Sequence, residues 1–537
     1  MAKTVFYDDD AREKVLEGAK ILADAVKTTM GPKGRNVVIG KSYGGPTVTH
    51  DGVTVAEAID LPETKDNLGQ KVGAELVKQA AKKMNKAAGD GTTTVTVLTY
   101  EILREANKLI AAGHNPMELR KGVEAAGKEA LDELDKIAEP INGKADKVAE
   151  VAGISAGDSE IGKLIADVMA KIGPDGAVSV EAGQGLDMES EITEGFTFDR
   201  GYTSIYMVTD TNRMEATYDK PAIIITDKKV SNAQELMPIL EKLLTAGKKD
   251  IILIADEVTG DALSVLILNK LKGALNTVAV KAPSFGDRRK EVLQDIAVLT
   301  GATVISEDQG MTFDNVGLEV IGSARRVIVG KDNTTIIEGA GDKSQIADRI
   351  SQIRAQASMA SSDYDKEQYE KRAAALSGKV AVIKVGGATE TEIDEKKYRV
   401  DDAVAAVKAA LIEGIVPGGG VTAVNLSQKI TGTDAGAEIV KKALKMPFKQ
   451  LTANAGLNSE ALLAEVEQAK PGMGVNVADY DGKLIDMKKA GIVDPARVTH
   501  EAIQNAISIA GTAMTMGALV VDIPEPKTPA SNQDMGY

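Results

Sequence analysis

Gly89-Asp90-Gly91-Thr92-Thr93-Thr94 separates two runs with helical patterning. The first run ends at Gly89. The second begins inside the threonines, with Val95, Leu98, Ile102 and Leu109 and, one step round, Leu103 and Ile110 on one apolar stripe. A tip between two helices presents the free N–H groups of a first turn and the positive end of a helix dipole. Here it also carries the hydroxyls of Thr92, Thr93 and Thr94. Glycines on either side of Asp90 let a ligand approach the backbone closely. Such a tip suits an oxyanion such as phosphate, and Asp90 is placed to hold the Mg²⁺ that accompanies a polyphosphate. The same six residues also read as an Asp-Gly turn with a threonine N-cap, which needs no ligand.

The chain around this tip has 537 residues, enough for about three or four domains and a substantial core. Hydrophobic residues make up 43% and charged residues 27%, the balance of a globular protein. A net charge of −15 argues against a nucleic-acid or anionic-membrane surface, both of which reward basic patches. Without cysteine there is no disulfide framework, thiol nucleophile or thiolate metal site. His50, His114 and His500 are the only histidines, too few and scattered for a catalytic triad or a histidine zinc cluster. Aromatics at 3% supply base-stacking platforms poorly. Asp8-Asp9-Asp10 follow the start at once, without a basic-then-apolar signal pattern. The uncharged run 502–521 is diluted by Gln504, Asn505 and small residues, and reads as a buried helix, not a membrane span. The expectation is a cytoplasmic protein.

Outward from the tip, helices are predicted over about 12–30, 68–88 and 116–138, with two short strands at Asn36–Ile39 and Thr47–Thr49 joined through Gly44-Gly45-Pro46. Gly40-Lys41-Ser42 resembles the end of a P-loop. That pattern requires glycine at position 35, which is arginine, so it is rejected. After Pro140 come a helix near 159–172, a strand at Ala177–Val180 and a boundary marked by Gly195 and Gly201. From about 221 to 306, strand-like runs at Ala222–Ile225, Ile251–Ile254, Thr277–Val280 and Thr303–Ile305 alternate with helical runs. This predicts βαβ units and a parallel sheet. No G-x-G-x-x-G follows the first strand, which disfavours a dinucleotide site.

Two helices of that region are apolar over more of their circumference than one sheet face requires. One carries Leu236, Met237, Ile239, Leu240, Leu243 and Leu244; the other carries Leu263, Val265, Leu266, Ile267 and Leu268. Either the domain covers them or they form an exposed sticky patch. Beyond a charged helical region at 343–377, broken near Ser361-Ser362, comes strand-like Val380–Ile383. A long helix over about 390–412 follows, with Asp402 off its apolar stripe and so able to face a cleft or simply solvent. Pro417-Gly418-Gly419-Gly420 then opens another helix. The remainder reads as helical, with an interruption at about Gly474–Asp486 and a frayed polar tail to Tyr537.

Six segments occur in one order: Thr29–Val38, Asp51-Gly52-Val53, Gly89–Thr94, Phe198–Tyr202, Ala282–Lys290 and Gly418–Gly420. With them the chain resembles the group I chaperonins, the bacterial GroEL type, over nearly its whole length. The resemblance implies an α/β multidomain fold. It comprises a mostly helical equatorial ATPase domain (1–136 and 413–537), a small α/β intermediate hinge domain (137–193 and 381–412), and an apical α/β domain with a parallel sheet (194–380). It also implies ATP, Mg²⁺ and K⁺ as cofactors, and two stacked seven-membered homo-oligomeric rings. A GroES-type cochaperonin would act as the lid, and non-native polypeptides would be the substrates.

By position, the resemblance makes Asp402 the base that activates water, with Asp51 assisting, and Asp90 the metal ligand. Thr29, Met30, Gly31, Pro32, His50, Gly91, Thr92, Thr93 and Thr94 would surround the phosphates. Gly419, Asn476, Val477, Ala478 and Asp494 would hold the nucleoside. Tyr202, Tyr206, Met207, Met237, Leu240, Leu263, Ile267 and Leu268 fall where the family binds substrate and lid. Arg200 and Glu390 match a family subunit contact. Asp402 on a hinge helix would reach its water on domain closure. Three features depart from the family pattern: His50 replaces the common lysine, a few residues are added between Gly69 and Leu76, and Pro526–Tyr537 replaces a Gly-Met repeat tail. A passive binding protein of the same fold is disfavoured by the intact Asp51, Asp90 and Asp402. A small-molecule kinase is disfavoured by the apolar apical helices.

Overall fold

The computed structural model describes residues 2–40, 45–64, 67–173, 176–183, 185–210, 214–360 and 362–523. Lys41 and Ser42 of the rejected P-loop, Gly44, Ser361 and the tail from Pro524 lie outside the described residues. The chain divides into two compact units. The first comprises Met1–Ala170, Ala182–Met188 and Val385–Tyr537; the second comprises Lys171–Glu181 and Glu189–Lys384. The expected apical segment thus falls within the second unit, and most of the hinge segments fall with the equatorial ones in the first.

In the first unit the helices Asp8–Val26, Gln70–Ala88, Thr92–Ala111, Pro116–Ile137, Ala435–Leu444 and Ala496–Ala513 enclose one core. Leu22, Val77, Met84, Leu98, Leu134 and Ile503 are almost fully withdrawn from solvent there. Each helix contributes one apolar stripe, and the polar side chains buried along these helices, such as Thr96, Thr99 and Asn505, bond within their own helix. Strands Lys3–Tyr7 and Ala518–Asp522 pair antiparallel and tie the two ends of the chain together. The uncharged run therefore ends as a helix at Ala513 and finishes in this strand. Among the described residues no helix is long and apolar enough to cross a membrane. The long helix Glu390–Glu413 packs on Ala145–Ala156 and Ala496–Ala513. Ala145–Ala156 is a helix that the periodicity did not predict.

The second unit is built on a nine-stranded sheet. Strands Ala222–Ile225, Asp250–Ala255 and Asn276–Lys281 are parallel, joined through the helices Ala233–Thr245 and Gly260–Leu271 as the alternation predicts. The rest corrects the expectation of a parallel sheet. Gly322–Val329 runs antiparallel to Ala222–Ile225, and Thr334–Gly339, Glu189–Phe198 and Lys379–Val385 continue antiparallel from it. Hairpin-type neighbours need no crossover helix, so these strands lack the alternating signature. The predicted fourth parallel strand shrinks to one bridge, Thr226 to Ile305. The strand Glu189–Phe198 runs through Gly195. A β-carbon there would lie 2.9 Å from the Ile336 carbonyl oxygen, so the glycine serves close strand packing.

Three further helices, Asp287–Thr300, Lys343–Met359 and Asp363–Leu376, meet at the buried carboxylate of Asp295. It accepts from Arg349 Nε at 2.8 Å and from Arg372 Nε at 2.8 Å. Two guanidinium groups satisfy the charge that burial would otherwise penalise.

Candidate functional site

Asp90 is held between two left-handed glycines, Gly89 at φ 68° and Gly91 at φ 78°. Neither position tolerates a side chain. A β-carbon on Gly89 would run into Ala405 of the long helix, and one on Gly91 would lie 2.7 Å from Val498 Cγ1 and 2.8 Å from Met84 Cε. The tip is thereby pressed into the corner where Glu390–Glu413 meets the start of Ala496–Ala513. The helix Thr92–Ala111 has no side-chain cap, and its first backbone bond runs from Val95 N–H to the Gly91 carbonyl at 3.0 Å. The amides of Thr92, Thr93 and Thr94 are thus the unpaired donors of a first turn.

Other segments close on the same tip. Asp51 caps the helix Gly52–Ala58, accepting from Val53 N–H at 3.2 Å, Thr54 N–H at 2.9 Å and the Thr54 hydroxyl at 2.5 Å. Gly52 lies against the threonines: a β-carbon there would be 2.8 Å from Thr92 Oγ1. Thr29 donates to the Val26 carbonyl at 2.9 Å, so the 3.2 Å contact with Thr93 has Thr93 as donor. Asn454 Nδ2 donates to the carbonyls of Lys27 (3.0 Å) and Met30 (2.9 Å), fixing the turn that leads to Gly31 and exposed Pro32. His50 packs on this turn; a β-carbon on Gly34 would lie 2.8 Å from its Cε1.

Strand Val493–Pro495 pairs with Ile415–Pro417 and sets Asp494 beside the glycine turn. A β-carbon on Gly418 would lie 2.9 Å from Asp494 Oδ1. Gly419, at φ 68°, faces Met487 and the Val475 carbonyl, so half-buried Asn476 and Val477 and exposed Ala478 continue from the same corner. Asn476 Oδ1 accepts from Ala478 N–H at 3.1 Å.

The electrostatics mark this corner as unusual. Burial pushes the Asp402 carboxyl well above the ordinary carboxylate range, and the charges of Asp51, Asp90 and Asp401 push it further. Burial also raises Asp90, with Asp51 adding to the shift. Bonds from Gly91 N–H at 2.5 Å and the Ser155 hydroxyl at 3.0 Å oppose it. Asp494 is pushed up to about 7, first by burial and then by Asp90. His50 is pulled down by burial. Among the described residues neither the Asp402 nor the Asp494 carboxylate has a hydrogen bond or ion pair. The neighbouring carboxylates raise one another's pKa, yet among the described residues no group of three or more His, Asp or Glu could hold a metal ion by itself. Asp402 and Asp90, more than three hundred positions apart in sequence, already share this corner. Ser155, the partner of Asp90, was missed by sequence reasoning, because a serine in an unpredicted helix carries no local mark.

The apolar residues predicted at a surface lie in the second unit and are mixed. Tyr206 is 64% exposed, Leu268 52% and Met237 38%. Tyr202, Leu263 and Ile267 are half-buried against the core. Met207 and Leu240 face inward, 0% and 2% exposed, and support the surface from beneath. Exposed Ile205, Leu244 and Leu271 were not predicted as site residues; the excess apolar circumference of the two helices was the available signal for the last two.

The TCP-1/cpn60 chaperonin family matches residues 22–524. Chaperonin gp146 from the bacteriophage EL 2 (Pseudomonas aeruginosa), solved in the presence of ATP-BeFx, is similar at TM-score 0.67 and 22% identity. The similarity covers 97% of this chain and 99% of that one. At such identity the likeness speaks for the fold, while the family match runs through nearly all of the sequence. The six ordered motifs and both comparisons agree: this chain belongs to the TCP-1/cpn60 chaperonin family.

Proposed function

We propose that the chain is the ATP-hydrolysing subunit of a ring chaperonin that encloses non-native polypeptides and uses hydrolysis to drive its domain movements. The observation that carries this reading is the convergence of Asp51, Asp90 and Asp402 on the tip at 89–94. The first-turn amides and the hydroxyls of Thr92, Thr93 and Thr94, with the Thr29–Pro32 turn, would hold the phosphates. Asp90, oriented by Gly91 N–H and Ser155, would hold Mg²⁺ together with the phosphates, since among the described residues no group of three or more His, Asp or Glu could hold a metal ion alone. When bound, the ion neutralises phosphate charge that otherwise repels an attacking water. Asp402, whose carboxylate has no partner among the described residues, would take a proton from that water. Asp51, its oxygens engaged as a helix cap, would orient the water more than it would accept from it. Asp494 would bind the ribose and Asn476, Val477 and Ala478 the base, with Gly419 packed against the nucleotide. His50 and K⁺ belong to the phosphate end.

The three-domain division belongs to the same proposal: equatorial 1–136 and 413–537, hinge 137–193 and 381–412, apical 194–380. So do the two stacked seven-membered rings and the GroES-type lid. Exposed Tyr206, Met237 and Leu268 support capture of unfolded chains, since each apolar side chain buried by a client contributes roughly 1.5–3 kcal/mol. Replacing Asp402 by alanine tests the chemistry. Nucleotide binding should persist, while steady-state phosphate release should fall by about 10²–10⁴-fold. Turnover equal to wild type would remove Asp402 from the role of base.

A further inference from the structure

Lys270 lies near the end of the helix Gly260–Leu271, whose Leu268 and Leu271 are exposed, and that helix packs on the one-turn helix Ile205–Met207 with its exposed Ile205 and Tyr206. The half-buried Lys270 Nζ donates to the Met207 carbonyl at 2.6 Å, the Tyr218 hydroxyl at 3.1 Å and Asn276 Oδ1 at 3.3 Å. Three acceptors match the three N–H groups of an ammonium ion; a neutral amine has only two to give. Asn276 is itself fixed, its Nδ2 donating to Asp250 Oδ1 at 2.7 Å, and the ammonium lies 5.5 Å from the centroid of the Tyr218 ring. The titratable groups facing Lys270 are Tyr218 from the strand Ala216–Asp219 and Asp250 from the strand Asp250–Ala255. Among the described residues no carboxylate pairs with it directly.

We propose that Lys270 is a positioning residue for the apolar client surface. Its ammonium ties the Met207 carbonyl to the helix bearing Leu268 and Leu271, so that Ile205 and Tyr206 join those leucines in one face. This rests on the client-binding reading above. A packed apolar residue would fill the same space without the desolvation that a lysine incurs, so the retained charge points to its donor geometry. The other side of the turn is already secured: Met207 is fully buried, with Ala279 N–H donating to its sulfur at 3.2 Å, and Thr203 N–H bonds the Ala279 carbonyl at 2.9 Å. The turn thus has one apolar anchor and one charged one. Burial holds the Lys270 ammonium down to about 8, so the charged anchor weakens in mildly alkaline solution.

The test uses the full chain, hydrogen exchange at residues 205–208, and capture of α-lactalbumin kept unfolded by reduction and carboxymethylation. Lys270→Met should lower protection of those amides, corrected for intrinsic exchange, by roughly tenfold, and weaken capture by a similar factor, as for loss of a charge-assisted bond. Wild type should lose protection and capture between about pH 7 and about pH 9, a slope that Lys270→Met should lack. Global stability should move the opposite way, because a lysine with a lowered pKa favours the folded state more as pH rises. A merely structural lysine would not separate the two. Unchanged exchange in Lys270→Met, or a wild-type profile without slope, overturns the proposal. If Leu268→Ser weakens capture and Lys270→Met does not, the positioning role alone fails; if neither weakens it, the client-surface reading fails as well.

Discussion

The corner around Asp90 and the apolar face around Leu268 solve opposite problems. At the corner, charge must be gathered at one point, so the backbone is forced into places where only glycine fits: Gly89, Gly91, Gly419 and Gly420 all have positive φ. The carboxyls of Asp90, Asp402 and Asp494 stay half-buried there, and burial raises the pKa of all three. The apolar face needs only area. Its exposed groups come from two helices and a turn, and a leucine can replace a methionine with little consequence. The second unit also accepts side chains at left-handed positions, among them Lys220, Ser284 and Glu338. Charge chemistry dictates residue type position by position, whereas sticky area dictates only a composition.

The comparison breaks most easily at the tip. Gly91→Val adds a β-branched side chain at φ 78° and drives it into Val498 and Met84. A loss of about 3–5 kcal/mol in the first unit is expected from strain and overpacking together, with nucleotide binding abolished. Urea unfolding and nucleotide titration check it, and a mild effect would mean that the tip is not pressed into its corner. The apolar face should answer differently. Leu240→Ala should cost about 2–4 kcal/mol by leaving a cavity, while Leu268→Ala should stay under about 1 kcal/mol. Client capture should rank the pair the other way per unit of folded protein, because Leu268 is exposed and Leu240 is not.

That contrast explains what could be read in the sequence. The tip and the glycine turn were legible as breaks between helices, but the residues alone left their purpose open, since the tip also read as an Asp-Gly turn and Asp402 as solvent-facing; the family resemblance singled them out. The parallel strands were legible through alternation with helices. The antiparallel strand Gly322–Val329 was not, because Arg325 and Arg326 interrupt its pattern. Their charges are matched only in the fold, Arg325 to Glu338 at 3.2 Å and Arg326 to Asp219 at 2.6 Å. Ser155 was invisible for the same reason: its partner, Asp90, lies 65 residues away. Leu240 and Leu244 look alike in sequence, and only the position of the sheet decides that the first is core and the second 41% exposed.

Proton linkage sharpens the corner's side of the comparison. A carboxyl whose folded pKa lies above its unfolded value, near about 3.9, binds its proton more tightly when folded, so stability falls as pH rises between the two values. Asp494, at about 7, should therefore erode nucleotide-free stability between about pH 4 and about pH 7, with Asp402 and Asp90 contributing in the same direction. Asp494→Asn should remove part of that slope and leave the protein more stable by about 1–3 kcal/mol near about pH 8, while weakening nucleotide binding. Thermal unfolding across this range measures it. Bound Mg²⁺ should flatten the wild-type slope by favouring the ionised carboxylates nearest to it. A wild-type curve that rises with pH through the same window would contradict the burial of these acids.

The smallest effect separates tolerance from need in the second unit. Ser284 sits at φ 64° in the loop that holds Phe285 out, 69% exposed, between the guanidinium groups of Arg200 and Arg289 at 5.8 and 6.0 Å. Glycine would relieve the left-handed strain by about 1 kcal/mol but would add unfolded-state freedom that offsets part of it. Ser284→Gly should thus raise the urea midpoint only slightly, whereas Ser284→Ala, which keeps the β-carbon, should not raise it at all. The glycine-minus-alanine difference, about 1 kcal/mol, isolates the backbone term. At Gly91 the same backbone conformation is coupled to a closed corner, so alanine there should cost more than this strain alone. If alanine costs the same at both places, the corner has room to spare, and its glycines are there for turn geometry instead of for close approach to a ligand.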